Sequence, residues 1–423
     1  MPVHPPARIL AVLALAALVR LAAATVAVPA WEARANRAPF PDLYPTLAAS
    51  LVDGHVLGYS PLGAPVTTGR GPGFPAWLAL PILAGLRTDR WLAWWATVPG
   101  LLGGALAAWT AARLAGRPLG SGLPLLAAAL AAMHPLPVFT SSRAMADEFC
   151  GVAGLAGLAA WRASADPGRR RVLLTALAGL ALGMAVLTRA TGALFLLALL
   201  LAALLTRTAR RRAAAAVALA LLPALAWSLR SSRLEGRPVF VHSLGAYNFW
   251  LGEAADRFGF APDPGRARAA AHRLMAEEAG LSPAATTGLW HVALTPPETA
   301  RLESALAKAA RRRVLSAPAS YARRVLAGIA WFWVRADTLR TTCLYAIAVL
   351  PFLAGLLLGA RPPRAGAWDP LHLALLLAVA LHVLLYAAVC PMARYSVAVY
   401  ACAAPLVALG WTRLSYSGGA GGP

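Results

Sequence analysis

Lysine is almost missing from this chain: Lys308 stands alone among 423 residues. Acids are scarce as well, 17 Asp and Glu against 39 Lys and Arg, giving a formal charge of +22. So basic a balance invites a nucleic-acid partner. No recognition motif accompanies it, however, and many of the arginines sit in short runs between apolar stretches, where they read as topology signals. The four cysteines, Cys150, Cys343, Cys390 and Cys402, lack CxxC spacing and fall in or beside apolar runs. That argues against a metal knuckle or a disulfide framework and leaves them as small apolar side chains. The histidines show no H-x-x-H or HExxH pattern, so no metal site is expected. Walker, dinucleotide-binding and GxSxG signatures are missing too, which argues against a nucleotide-bound substrate and a serine nucleophile elbow.

What the chain has in abundance is apolar sequence. Hydrophobic residues make up 59% and charged ones only 13%. The apolar runs are continuous and Leu/Ala-rich, not alternating as in a transmembrane barrel, so the fold class is an all-α polytopic membrane protein. A bilayer core takes about 20 apolar residues as a helix. About ten such spans are read at 9–28, 91–112, 119–139, 146–163, 172–188, 190–206, 213–229, 340–359, 370–390 and 395–412. Residues 74–86 are too short and Pro-broken for a span and read as a re-entrant or interfacial helix.

Ten spans put both termini on one side. Fourteen arginines then fall in the short segments on that side and eight in those opposite, which places the termini in the cytoplasm of a plasma (inner) membrane protein. The first span is expected to stay uncleaved, because Arg20 interrupts it and no clear A-x-A site follows. The organisation expected is a transmembrane module over 1–229 containing an external loop at 29–73, an external segment over 230–339, C-terminal spans over 340–412 and a tail at 413–423. Within the external parts, Leu43 to Val52 reads as a short amphipathic helix. Glu298 to Leu315 reads as a helix lying along the interface, with Leu302, Leu306, Ala309 and Ala310 at helical spacing.

With so few acids, each can be weighed. Asp42 precedes the amphipathic run, where a carboxylate serves either as a general base or as a favourable charge at a helix N-terminus. Asp147 and Glu148 are adjacent at the edge of a span, costly unless paired or facing a wet cavity. Arg143 lies four residues before Asp147, so a local ion pair competes with a cavity-lining role. Arg20 is the one charge inside the first span. Its insertion costs roughly 2.5–3.5 kcal/mol unless an acid such as Asp42 or a lipid phosphate offsets it. Arg189 and Arg394 stand at external span ends, as interfacial anchors or ligands. Arg70 begins Arg70-Gly71-Pro72-Gly73-Phe74-Pro75, a guanidinium in a rigid bend that suits a phosphate at the membrane surface.

Taken in order, these features resemble the GT-C class of membrane glycosyltransferases, near the protein O-mannosyltransferase and aminoarabinose transferase group. The ordered signals are Leu18-Val19-Arg20-Leu21; Asp42 and Tyr44 before Ala48, Leu51 and Gly54; Arg70 to Pro75; His134-Pro135; Asp147-Glu148; and Gly183 to Arg189. After them come Trp227-Ser228-Leu229-Arg230, Gly236, Gly245-Ala246-Tyr247-Asn248 and Arg394-Tyr395. Two positions depart from the family pattern. Gly71 replaces a proline, and the acid precedes Tyr44 by two residues where relatives have four.

The resemblance implies an inverting transfer of a sugar from a polyprenyl-phosphate donor to an acceptor hydroxyl on a glycan, lipid or protein. The active site would lie on the extracytoplasmic face, without a cofactor and without a nucleic-acid partner. Asp42, Glu148 and Asp147 would be the catalytic acids. Arg70, Tyr44, Arg20, Arg189, Arg394 and Tyr395 would bind donor or lipid phosphate. A lipid or glycolipid transporter, for which no internal repeat speaks, and an inactive scaffold remain the competing readings.

Overall fold

The computed structural model describes residues 5–34, 43–54, 57–58, 66–166, 168, 170–260, 264–280, 294–336, 338–361 and 368–417. Asp42 and most of the tail at 413–423 lie outside or at the edge of that set. The described residues are helical almost throughout; Gly58 and Val66 form an isolated antiparallel bridge. Among the described residues eight helices are long and apolar enough to cross a membrane, and each falls on one of the expected spans. The expected spans at 146–163 and 190–206 form apolar helices too, but shorter ones, Asp147–Ala163 and Ala193–Leu205. The first span extends from Ala7 to Ala33. Residues Gly73–Leu83 make the short Pro-containing helix expected between spans, and Tyr44–Gly54 the amphipathic one.

Sequence explains where these helices begin. Proline occupies an early position in Pro135–Ser142, Pro296–Ser316, Pro318–Val334 and Pro370–Val389, where the missing N–H costs nothing. Asp369 accepts from Leu371 N at 2.8 Å, and Thr295 with Glu298 closes a capping box.

The Ala393–Ser417 helix is the axis of the bundle. In its spanning window 89% of residues are buried, against 17% in the first span. Beside buried Tyr400, Leu406 and Val407 it carries many small inward positions: Ala398, Ala401, Ala403, Ala404 and Ala408. Small side chains let neighbouring helices approach closely, which is how helices associate where the hydrophobic effect gives no net drive. A second apolar cluster joins Tyr44, Leu47, Phe74, Leu78 and Leu92 to Ala144 and Ala146, so the segment after the first span rests on the bundle. A third, built on Trp250, Leu274, Met275 and Leu306, holds together the helices Gly245–Phe258, Pro264–Ala279 and Pro296–Ser316 of the long segment.

The two ends of the bundle differ. At one, Arg162 pairs with Asp369 at 3.3 Å, Arg113 with Asp166 at 2.8 Å, and Arg212 bonds the Ser164 carbonyl. At the other lie the segments between spans that carry the second and third clusters, and the side chains described next.

Candidate active site

Asp147 and Glu148 adjoin in sequence but serve different partners. Ala144 takes a left-handed conformation, φ 48°, between the Pro135–Ser142 and Asp147–Ala163 helices, and this bend sets the direction of the new helix. Consecutive helical residues point about 100° apart. Glu148 turns into the bundle and meets Arg20, Oε1 to Nη2 at 2.6 Å and Oε2 to Nη1 at 2.8 Å. Arg20 is fully buried, and it also donates to Ala132 O, Thr97 O and Ser141 Oγ. Its guanidinium lies against Gly100, where a Cβ would collide with it. The acid that offsets Arg20 is thus Glu148. A bidentate pair with its remaining donors filled ties the first span to three other parts of the bundle.

Arg143 does not pair with Asp147. It bonds Glu32 at 2.7 Å and stacks near Trp31 and Phe139. The four-residue spacing expected to join them is interrupted by the turn at Ala144.

Asp147, buried at the start of its helix, instead holds two distant arginines. Arg189 Nη2 lies 3.1 Å from Oδ1, and Arg394 Nε lies 3.6 Å from Oδ2. Both arginine side chains keep some exposure, 14% and 29%, while that of Asp147 has none. Arg189 occupies an extended residue that separates the Arg170–Thr188 helix from the next, and Arg394 sits in the first turn of the axial helix. Tyr395 serves as a plate for both: its ring lies 5.3 Å from the Arg189 carbon and 5.5 Å from that of Arg394. Tyr395 stacks on Tyr386 at 4.6 Å and donates to Asn248 Oδ1 at 3.3 Å. Arg189 also reaches the Tyr386 hydroxyl at 3.4 Å.

Arg70 joins this group through backbone packing. Gly71 and Gly73 press so closely on Leu187 and Thr188 that a Cβ on either would strike their backbone. The bend therefore sits directly beside the residue that precedes Arg189, and Arg70 lies over the Tyr44 ring at 5.8 Å. Tyr44 is buried and packs edge-on to Phe74 at 5.2 Å.

His242 closes the other side. Its Nε2 accepts from Ala190 N at 3.3 Å, and burial with Arg189 and Arg70 nearby pushes its pKa down to about 3. The ring is held neutral as an acceptor. Ser243 N donates to Thr68 O at 3.2 Å, so the strip 241–244 runs along the Arg70 bend.

Of the residues singled out in the sequence, Arg70, Tyr44, Asp147, Arg189, Arg394 and Tyr395 come together, whereas Arg20 and Glu148 satisfy each other inside the bundle. Asp42 lies outside the described residues, two positions before Tyr44. His242, Tyr386 and Asn248 complete the group. Asn248 belongs to the Gly245–Asn248 motif, and Tyr386 is an aromatic in the last turn of a span, a position that reads as an interfacial anchor. The scattered spacing of the histidines gave no sign of His242. Among the described residues no group of three or more His, Cys, Asp or Glu is placed to hold a metal.

Comparison of the chain with known protein families finds no match, and comparison with curated proteins finds none. Solved structures do match. Archaeal oligosaccharyltransferase AglB from Archaeoglobus fulgidus, in complex with an inhibitory peptide and a dolichol-phosphate, superposes with a TM-score of 0.55 at 16% identity, covering 97% of this chain and 50% of that one. ArnT from Cupriavidus metallidurans bound to undecaprenyl phosphate gives a TM-score of 0.42 at 16% identity, covering 97% of this chain and 78% of that one. The chain spans about half the length of the oligosaccharyltransferase. Over the matched length the chain shares the fold of that oligosaccharyltransferase, in keeping with the resemblance that its ordered sequence signals carry.

Proposed function

We propose that this protein transfers a sugar from a polyprenyl-phosphate carrier to an acceptor hydroxyl at the extracytoplasmic face of the membrane, with inversion at the anomeric carbon. The observation that carries this reading is the pairing of Arg189 and Arg394 on the buried Asp147 and over the Tyr395 ring, with the Arg70 bend packed beside Thr188. Arginine donors suit phosphate oxygens both in charge and in planar geometry. The AglB structure, of like fold, was solved with a dolichol-phosphate, a lipid of the class proposed.

The chemistry asks for positive charge at this point. As the acceptor oxygen forms its bond to the anomeric carbon, the bond from that carbon to the phosphate oxygen breaks and its electron pair stays on the phosphate. A phosphodiester monoanion becomes a more highly charged monoester, so donors aimed at the departing oxygen stabilise the transition state more than the ground state. The acceptor proton goes to Asp42 as general base. Asp147 is suited to a different task. Its oxygens are engaged by Arg189 and Arg394, so it positions these cations.

The test uses purified full-length protein and polyprenyl-phosphate sugars. Arg189→Gln and Arg394→Gln should each lower kcat by about 10²–10³-fold, the loss typical of a removed transition-state donor. Asp42→Asn should abolish transfer with the thermal midpoint unchanged. Full turnover in both arginine variants would remove the cluster from the reaction, and movement of intact lipid without product would make the protein a transporter.

A further inference from the structure

Behind the strip 241–244 lies a cavity of about 590 Å³, walled by Arg237, Arg301, Ser304, Lys308, Arg312 and Glu235. It lies between the end of the Arg210–Glu235 helix and the Pro296–Ser316 helix, where Arg301, Ser304, Lys308 and Arg312 recur every three or four residues and so share one face. Ala300 and Ala305 lie between these side chains as small lining residues of an open groove.

The acids nearby are committed elsewhere. Glu235 has its side chain fully buried, accepts from Arg237 Nε at 2.9 Å and also bonds Ser243 Oγ. Glu298 serves the capping box, receiving Thr295 N at 2.8 Å and Thr295 Oγ1 at 2.7 Å. Glu303 turns to the other side and accepts from Ala246 N and Tyr247 N at 3.0 and 3.1 Å. Arg312 donates to a carbonyl, Glu278 O, at 3.3 Å. Glu235 offsets Arg237 and Glu298 lies near Arg301, so cations outnumber acids along this face.

We infer that this cavity binds an anionic saccharide unit, one bearing phosphate or carboxylate groups, as part of the acceptor. The volume falls in the range of small-molecule sites and exceeds what a single inorganic ion fills. Glu235 connects the cavity to the arginine cluster: its partner Ser243 adjoins His242, which receives Ala190 N beside Arg189, and Ser243 N bonds Thr68 O two residues before Arg70. An acceptor anchored here lies on the far side of a single chain segment from the proposed transfer site. The assignment as acceptor rests on the proposed function; the binding of an anion does not.

Lys308 is the one lysine of the chain, so acylation of its amine reports on the cavity alone. The full-length protein in detergent is treated with an amine-reactive ester at constant ionic strength, with inorganic pyrophosphate, trigalacturonate or neutral maltotriose, and modified Lys308 peptide is quantified. Pyrophosphate and trigalacturonate should slow acylation in a saturable way and maltotriose should not; their relative strength tells phosphate from carboxylate recognition. Arg301→Gln combined with Arg312→Gln should weaken protection at least ~tenfold, since each change removes a cationic donor from this face. Equal protection by all three probes, or undiminished protection in the double variant at an unchanged thermal midpoint, overturns the site. Arg189→Gln should leave protection intact, so loss of transfer and loss of the anion site are read separately. If the double variant transfers sugar with unchanged acceptor KM, the cavity binds an anion but not the acceptor, and the proposal fails.

Discussion

The residues of this protein divide into charges that hold the bundle and charges that face its outer end, and two adjacent acids show the division. Glu148 with Arg20 is an internal tie, with side-chain exposures of 5% and 0%. Breaking such a pair from one side strands a buried charge and costs about 3–5 kcal/mol, whereas replacing both partners with apolar groups of similar volume is often neutral. Glu148→Gln and Arg20→Met should therefore each lower the thermal midpoint in detergent, and Arg20→Met with Glu148→Met should recover most of it. Equal stability in all three, with activity lost in each single variant, would return the pair to the chemistry. His242 makes a pH prediction of the same local kind. Its folded pKa, about 3, lies below the ordinary 6.5, so the stability it contributes is complete above pH 6.5 and is lost as pH falls toward 3. His272, lowered to about 4 by burial and Arg268, adds in the same direction. Thermal midpoints measured from pH 8 to pH 4 should fall on the acid side, and less steeply in His242→Gln, which keeps an acceptor for Ala190 N.

Among the elements, the helices were the legible part, because continuous Leu/Ala runs declare themselves without long-range information. The short helix at Gly73–Leu83 and the amphipathic ones at Tyr44–Gly54 and Pro296–Ser316 were legible for the same reason. What local spacing did not reveal was how the bends aim side chains. A left-handed alanine at 144 cancels the Arg143–Asp147 spacing, and only the fold brings residues 147, 189 and 394 together. Gly71 gains its meaning there too. Where relatives in the resembled family carry proline, this bend is packed against the Leu187 carbonyl and has no room for a Cβ. Gly71→Ala should push the Arg70 bend away from Arg189 and lower kcat by about tenfold or more, as small misplacements of a catalytic donor do. Gly69→Ala is the control, since a Cβ there finds Thr67 and Leu244 at ordinary contact distances of 3.5 and 3.7 Å. Equal activity in the two variants would show that the bend can move without consequence.

At the scale of the whole molecule, the asymmetry of the ends is the main physical statement. In the proposed orientation the end carrying Arg113, Arg117 and Arg162 faces the cytoplasm, on the density of its arginines. The opposite end, which carries the second and third apolar clusters and the arginine group, then faces outward, as the proposed transfer requires. Cysteine labelling can test this directly, because Cys150, Cys390 and Cys402 are buried and Cys343 alone is exposed. In a Cys343→Ser background, Arg311→Cys on the exposed face of the Pro296–Ser316 helix should react with a membrane-impermeant maleimide in intact cells. Arg117→Cys, at the other end, should react only after permeabilisation. The reverse pattern would turn the site toward the cytoplasm, where a carrier displaying its sugar outside could not reach Arg70, Arg189 or Arg394.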